Sequence, residues 1–244
     1  MLVWTFLAAL ALSAVNTLPH LPRALPPGPR SRFLSFCGGV TIGFVLMRLL
    51  PALSAEALLL QRFGVALPLP PGENVYAVAL LSLLLFYAAD MLSRRAAAAA
   101  EAEHPAAPAA GVRAFRFELA SFAALDFLIG FTLLHRARAG NHELLFFFVA
   151  MFLKFILSDQ ALHAQHQHAY DRRGRWLLSA AVLIGWALGS VVRLPAPGPA
   201  LIEAFIAGGV ILNILRWELP RSGGSRYWPF FLGAVAYAAL LALP

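Results

Sequence analysis

The chain has 244 residues, 60% of them hydrophobic and 13% charged, with a formal net charge of +7. A soluble domain carries roughly a quarter charged residues, so a soluble enzyme and a soluble head on a single anchor are both excluded, and the expected environment is a lipid bilayer. No basic stripe with interleaved aromatics accompanies the positive charge, which excludes nucleic acid as the expected partner.

Apolar runs near the ~20 residues that cross hydrocarbon fall at about 2–18, 33–53, 74–92, 114–136, 143–165, 177–193, 200–219 and 227–243. The first has no basic region ahead of it and reads as a span rather than a cleaved signal. The expected fold is therefore all-α: a polytopic membrane protein of eight transmembrane helices, forming one integral membrane domain over residues 1–244. Breaker-rich connections lie at Pro19–Arg32, Pro68–Glu73, Arg193–Pro199 and Pro220–Arg226. The stretch 93–113, with its run Ala96–Ala100, reads as a loop or frayed helix. Cys37, the single cysteine, permits no internal disulfide.

Arginines alternate with the spans. Connections 1–2, 3–4, 5–6 and 7–8 hold thirteen, among them Arg30, Arg94, Arg173 and Arg226, whereas the other three hold only Arg62, Arg136, Arg138 and Arg193. Basic residues accumulate on the cytoplasmic side, so both termini are predicted outside, in an inner or plasma membrane of bacterial type. Trp4, Trp176, Trp217 and Trp228 sit near span ends, as an aromatic belt would.

Two charges lie midway along spans. Leu125-Asp126-Phe127-Leu128-Ile129-Gly130 is in span four, and Leu153-Lys154-Phe155-Ile156-Leu157-Ser158 in span five. A lone charge at the bilayer centre costs at least ~2.5–3.5 kcal/mol on insertion scales. A carboxylate and an ammonium at matching depth can neutralise each other, so Asp126 and Lys154 are predicted to pair. Span two also shares a phrase with span seven. Phe36-Cys37-Gly38-Gly39-Val40, later Leu49-Leu50-Pro51, echoes Phe205-Ile206-Ala207-Gly208-Gly209-Val210, later Leu219-Pro220. The two spans run in opposite directions, as inverted repeats of secondary transporters do.

Eight spans with outside termini, Gly38 through Gly43 and Leu49-Leu50-Pro51 together resemble the ZIP family of divalent-metal transporters. The resemblance implies inverted repeats, transport of a divalent metal such as zinc, and metal ligands on spans four and five. Laid on this chain, the positions it assigns to ligands are Leu125, Ile129, Leu153 and Leu157, none of which can hold a metal, and Arg48 stands where the family often has His. The expectation is a divergent ZIP-like transport protein with an ion pair in place of its metal centre. The alternative is a non-transporting protein that keeps the fold, with Asp126–Lys154 as a structural clamp.

Asp159, His163 and His166 fall on one helical face at the inner end of span five, a spacing that suits Zn²⁺. A polar helix end in contact with headgroups and water accounts for them more simply. Arg48 and Glu203, both near outer span ends, could line a vestibule or snorkel to the interface. Gly39-x-x-x-Gly43 and Gly185-x-x-x-Gly189 are small faces suited to close helix packing. No catalytic constellation assembles, so no enzyme activity is expected. Apart from that zinc or another divalent metal, no cofactor is expected. The remaining expected partners are a small ion or solute and a second copy of the chain in a homodimer.

Overall fold

The computed structural model describes residues 1–17, 26–62, 73–103, 108–192, 194–195, 197–213 and 227–242, and every described element is helical. First comes α1 (Leu2–Thr17). Then α2 (Pro27–Phe44), a π-helical turn (Val45–Leu49) and α3 (Leu50–Arg62) follow without a break, forming one long rod. After them come α4 (Asn74–Glu103), α5 (Pro108–Ala139) and α6 (Asn141–Ala169). A second π-helical turn (Tyr170–Gly174) leads into α7 (Arg175–Val191), followed by α8 (Pro197–Asn213) and α9 (Tyr227–Ala242).

The eight predicted spans thus map onto eight rods. Gly28–Leu58, Asn74–Leu92, Phe115–Ala139 and His142–His163 are long and apolar enough to cross a membrane. The other four rods are apolar but shorter. Span seven, expected to reach 219, is helical to Asn213, and residues 214–226 lie outside the described residues. The reading of 93–113 as loop or frayed helix is corrected. Helix α4 continues to Glu103 and α5 begins at Pro108. Alanine is the best helix former, and proline suits the first turn because its missing N–H would go unpaired there anyway.

Two local features shape the rods. Pro51 sits inside the α2–α3 rod, where proline removes a hydrogen bond and its ring crowds the carbonyl four residues back. The preceding turn is widened into π geometry, with the Leu50 N–H bonded to the Val45 carbonyl. Between α5 and α6 a single residue, Gly140, reverses the chain at φ +150°, a backbone conformation open to glycine. Its N–H caps the Arg136 carbonyl at 3.3 Å, and its own carbonyl accepts from Leu144 N–H at 3.1 Å.

Contacts fix the direction of each rod. Gly185 and Gly189 of α7 meet the Phe127 and Phe131 carbonyls of α5, so these helices run parallel. Gly39 and Gly43 of α2 meet Phe230 and Tyr237 of α9, also in parallel. On α8, Gly208 packs on Ala79 of α4, and Gly209 on Phe86. Helix α1 runs against α7, joined by reciprocal bonds from Ser13 Oγ to the Ser179 carbonyl (3.3 Å) and from Ser179 Oγ to the Ser13 carbonyl (2.9 Å). These directions agree with an up-and-down order for the eight rods.

The rods are not equivalent in burial. The α2–α3 rod, α5, α6 and α8 supply most of the core, including Phe44, Leu49, Leu125, Ile129, Met151, Phe155, Ala204 and Val210. By contrast, α4 turns Leu80, Leu81, Leu84 and Leu85 outward, and α9 buries only Gly233 and Tyr237. Trp4, Trp176 and Trp228 are exposed, and Trp217 lies outside the described residues.

Backbone-to-backbone approach at the glycine pair predicts a specific sensitivity. A methyl at Gly39 would land on the Phe230 carbonyl, and one at Gly208 on the Ala79 carbonyl. Overpacking of this kind costs about 1–3 kcal/mol or more. Gly39→Ala and Gly208→Ala should each lower the unfolding temperature of the purified protein. Gly28→Ala, where a methyl meets nothing within 4 Å, should leave it unchanged.

Candidate functional site

Asp126 and Lys154 meet in the middle of the bundle. Lys154 Nζ donates to Asp126 Oδ1 at 3.1 Å, with side-chain exposures of 0% and 2%. The α5–α6 hairpin sets this geometry, because the one-residue turn at Gly140 forces the helices antiparallel and brings the two positions level. The Lys154 ammonium lies 4.7 Å from the centre of the Phe155 ring and 5.8 Å from that of Phe122, within range of cation–π attraction. Asn16 of α1 donates to Asp126 Oδ2 at 3.4 Å, a long and weak bond. Three helices therefore converge on one charge pair.

The surroundings do not suit a divalent metal. Leu125 is 1% exposed and Ile129 0%, both within the apolar core, with Leu153 packed against it. Zinc requires nitrogen, sulfur or carboxylate ligands, and a single aspartate already bonded to an ammonium does not supply such a set.

A second polar group occupies the predicted outer end. Arg136 Nη2 lies 2.7 Å from Glu203 Oε2, and His135 Nε2 is 4.0 Å from Glu203 Oε1. Glu56 of α3 lies beside this group, its Oε2 buried and without a hydrogen-bond partner among the described residues. Arg48, on the π-helical turn, pairs with Glu143 at the start of α6. Arg48 stacks over Phe146 at 5.1 Å and Arg136 over Phe147 at 5.3 Å. Arg48, Arg136 and Glu143 line a cavity of about 240 Å³ with Phe44, Phe146 and Phe147. Of the two residues expected at a vestibule, only Arg48 borders this cavity. Glu203 is buried behind Arg136 and does not snorkel.

The predicted inner end is polar too. Arg30 of α2 donates to Gln160 of α6. Tyr170 donates to Asp159 Oδ1 at 2.8 Å, and Arg175 lies 5.6 Å from the Tyr170 ring centre. Burial pushes the Tyr170 hydroxyl well above the usual phenol range and the Asp159 carboxylate adds to this, so the hydroxyl keeps its proton and remains a donor. Of the predicted zinc residues, Asp159 is engaged by Tyr170 and His163 is half-buried one turn further on; the side chain of His166 lies outside the described residues. No three His, Cys, Asp or Glu side chains gather as metal ligands among the described residues. A small cavity, about 20 Å³, is bounded by Asp90, Glu118, Phe122 and Leu125 on this side.

No family model, curated protein or solved structure matches the chain.

Asn16, Glu143, Arg136, Glu56 and Tyr170 complete these polar groups, and none was singled out as a site residue by the sequence. Asn16 carried a signal, as a side-chain amide near the end of an otherwise apolar span. Arg136 read as a connection charge because it lies at a span end.

The pair predicts a thermodynamic signature. Removing one partner of a buried ion pair strands the other and costs about 3–5 kcal/mol, whereas replacing both by apolar residues is far milder. Asp126→Leu and Lys154→Leu should each reduce folded yield and unfolding temperature, and the double variant should recover much of the loss. Equal yields for both singles and the double would rule out a stabilising pair.

Proposed function

We propose that this chain is a ZIP-like integral membrane protein in which the Asp126–Lys154 pair works as a structural clamp at the place where a transporter of that plan would hold its metal. The observation that carries this reading is the dryness of the pair. Lys154 has no exposed side-chain surface, and neither residue lines the cavities at the two ends. A relay for ions needs water or cargo to reach it, and a clamp does not.

The ZIP-like plan draws support from packing as well as from the sequence phrases. Inversion would exchange α1 with α7, the α2–α3 rod with α8, α4 with α9, and α5 with α6. The parallel contact of Gly39 on α9 then corresponds to that of Gly208 on α4. The reciprocal Ser13–Ser179 bonds fall where α1 and α7 would cross the two-fold axis, and Asp126–Lys154 falls where α5 and α6 would. Arg30–Gln160, linking α2 to α6, likewise corresponds to Glu203–Arg136, linking α8 to α5.

A second reading, transport of a small ion or solute, is favoured by the outer cavity at Arg48 and the inner one at Leu125, which approach the pair from opposite ends.

Uptake into vesicles separates the two. Wild type reconstituted with both termini outside should take up zinc no faster than empty vesicles, and the Asp126→Leu/Lys154→Leu double variant should behave identically. Saturable zinc uptake lost in the double variant would return a transport role to the membrane centre. If purified protein retains zinc, replacing Asp159, His163 and His166 together with alanine should remove it, while Asp126→Asn should not.

A further inference from the structure

We infer that the cavity at the predicted outer end binds a small carboxylate with a compact apolar body, received by Arg48 and Arg136. The site stands apart from the clamp and from the ZIP-like plan, because it uses neither the midplane pair nor the inverted order. Its volume, about 240 Å³, is sufficient. A cavity of ~150 Å³ lined by apolar side chains already holds benzene, so a ring or short alkyl group fits here with a carboxylate attached. The lining divides by chemistry. Phe44, Phe146 and Phe147 offer aromatic surface, and Arg48, Arg136 and Glu143 are the charged members. Two guanidiniums against one carboxylate make cations the majority among them, and Glu203, which holds Arg136, does not border the cavity.

Both arginines have donors to spare. A guanidinium carries five N–H groups. Among the described residues, Arg48 donates to Glu143 through Nη2, and Arg136 donates to Glu203 through Nη2. The Arg48 side chain is part-exposed, and Arg136 keeps 13% of its side chain exposed although its Nε is buried and unpaired. Stacking on Phe146 and Phe147 holds the two guanidiniums in place. A planar fork fixed in this way matches the two oxygens of a carboxylate and loses little freedom on binding. The competing ligand classes fit less well. An inorganic anion would leave the phenyl surface uncovered, and a plain hydrocarbon would bury the remaining N–H donors without acceptors. An amine would add a third cation. A carboxylate on an apolar body meets both halves of the lining.

Calorimetric titration of benzoate into the purified full chain, held in lipid nanodiscs in carboxylate-free buffer, tests the site. Benzoate should bind saturably, one per chain, whereas benzyl alcohol and benzylamine, of similar shape, should not. Arg48→Gln should weaken benzoate about tenfold or more, the scale of one lost hydrogen bond to a charged group. Ala52, on α3, also lines the cavity. Ala52→Phe fills that space without removing a charge and should abolish binding, which keeps the test decisive if the arginine variant fails to fold. Free phenylalanine separates the two sources of such a carboxylate. Tighter binding than benzoate identifies an amino acid, and weaker binding identifies a simple acid. No saturable binding at millimolar benzoate would overturn the assignment. So would equal binding of benzyl alcohol, or benzoate binding that stays unchanged in whichever of the two variants folds.

Discussion

The α5–α6 hairpin exists around a constraint that water does not relieve. Inside a low-dielectric bundle an isolated ammonium cannot persist, and Lys154 is completely enclosed. Its partner is Asp126, held level with it, and that alignment depends on the abrupt reversal at Gly140. Two phenylalanine faces and the Asn16 amide complete the enclosure. The rest of the architecture keeps these three helices together, with α7 locked to α5 through glycine contacts and to α1 through paired serines.

Charge is managed differently at the two ends than at the centre. At the outer end Arg48 pairs with Glu143 and stacks on Phe146, while Arg136 pairs with Glu203 and stacks on Phe147. Both ends join the two sets of helices that the Gly-Gly-Val phrases belong to. At one end α5 meets α8 through Arg136 and Glu203, and at the other α2 meets α6 through Arg30 and Gln160. Among the described residues, the apolar core between them holds one ion pair, Asp126–Lys154.

Much of this order was readable in the sequence, for identifiable reasons. Eight apolar runs and alternating arginines gave the rods and their directions, because bilayer thickness and charge placement constrain the chain strongly. The matching depth of Asp126 and Lys154 followed from helical rise alone. Other features depend on long-range packing. Asn16 and Asp126 are far apart in sequence, and no periodicity links them. Arg48 and Glu203 were read as lining one vestibule or snorkelling, yet the rotation of the rods gives Arg48 to Glu143 and Glu203 to Arg136. The helical course of the Ala96 region was under-read because its polar neighbours suggested a connection, although alanine strongly favours helix.

The widened turn at Val45–Leu49 has a mechanical consequence. Below it, α2 is held against α9 at Gly39, where the backbones touch and leave no slack. Above it, α3 carries Glu56 and makes its contacts with α8 and α4. The turn between them trades the regular i−4 pattern for an i−5 bond. It is thus the weak joint of an otherwise stiff lever, so a push on α3 is absorbed there and need not reach the anchored lower arm.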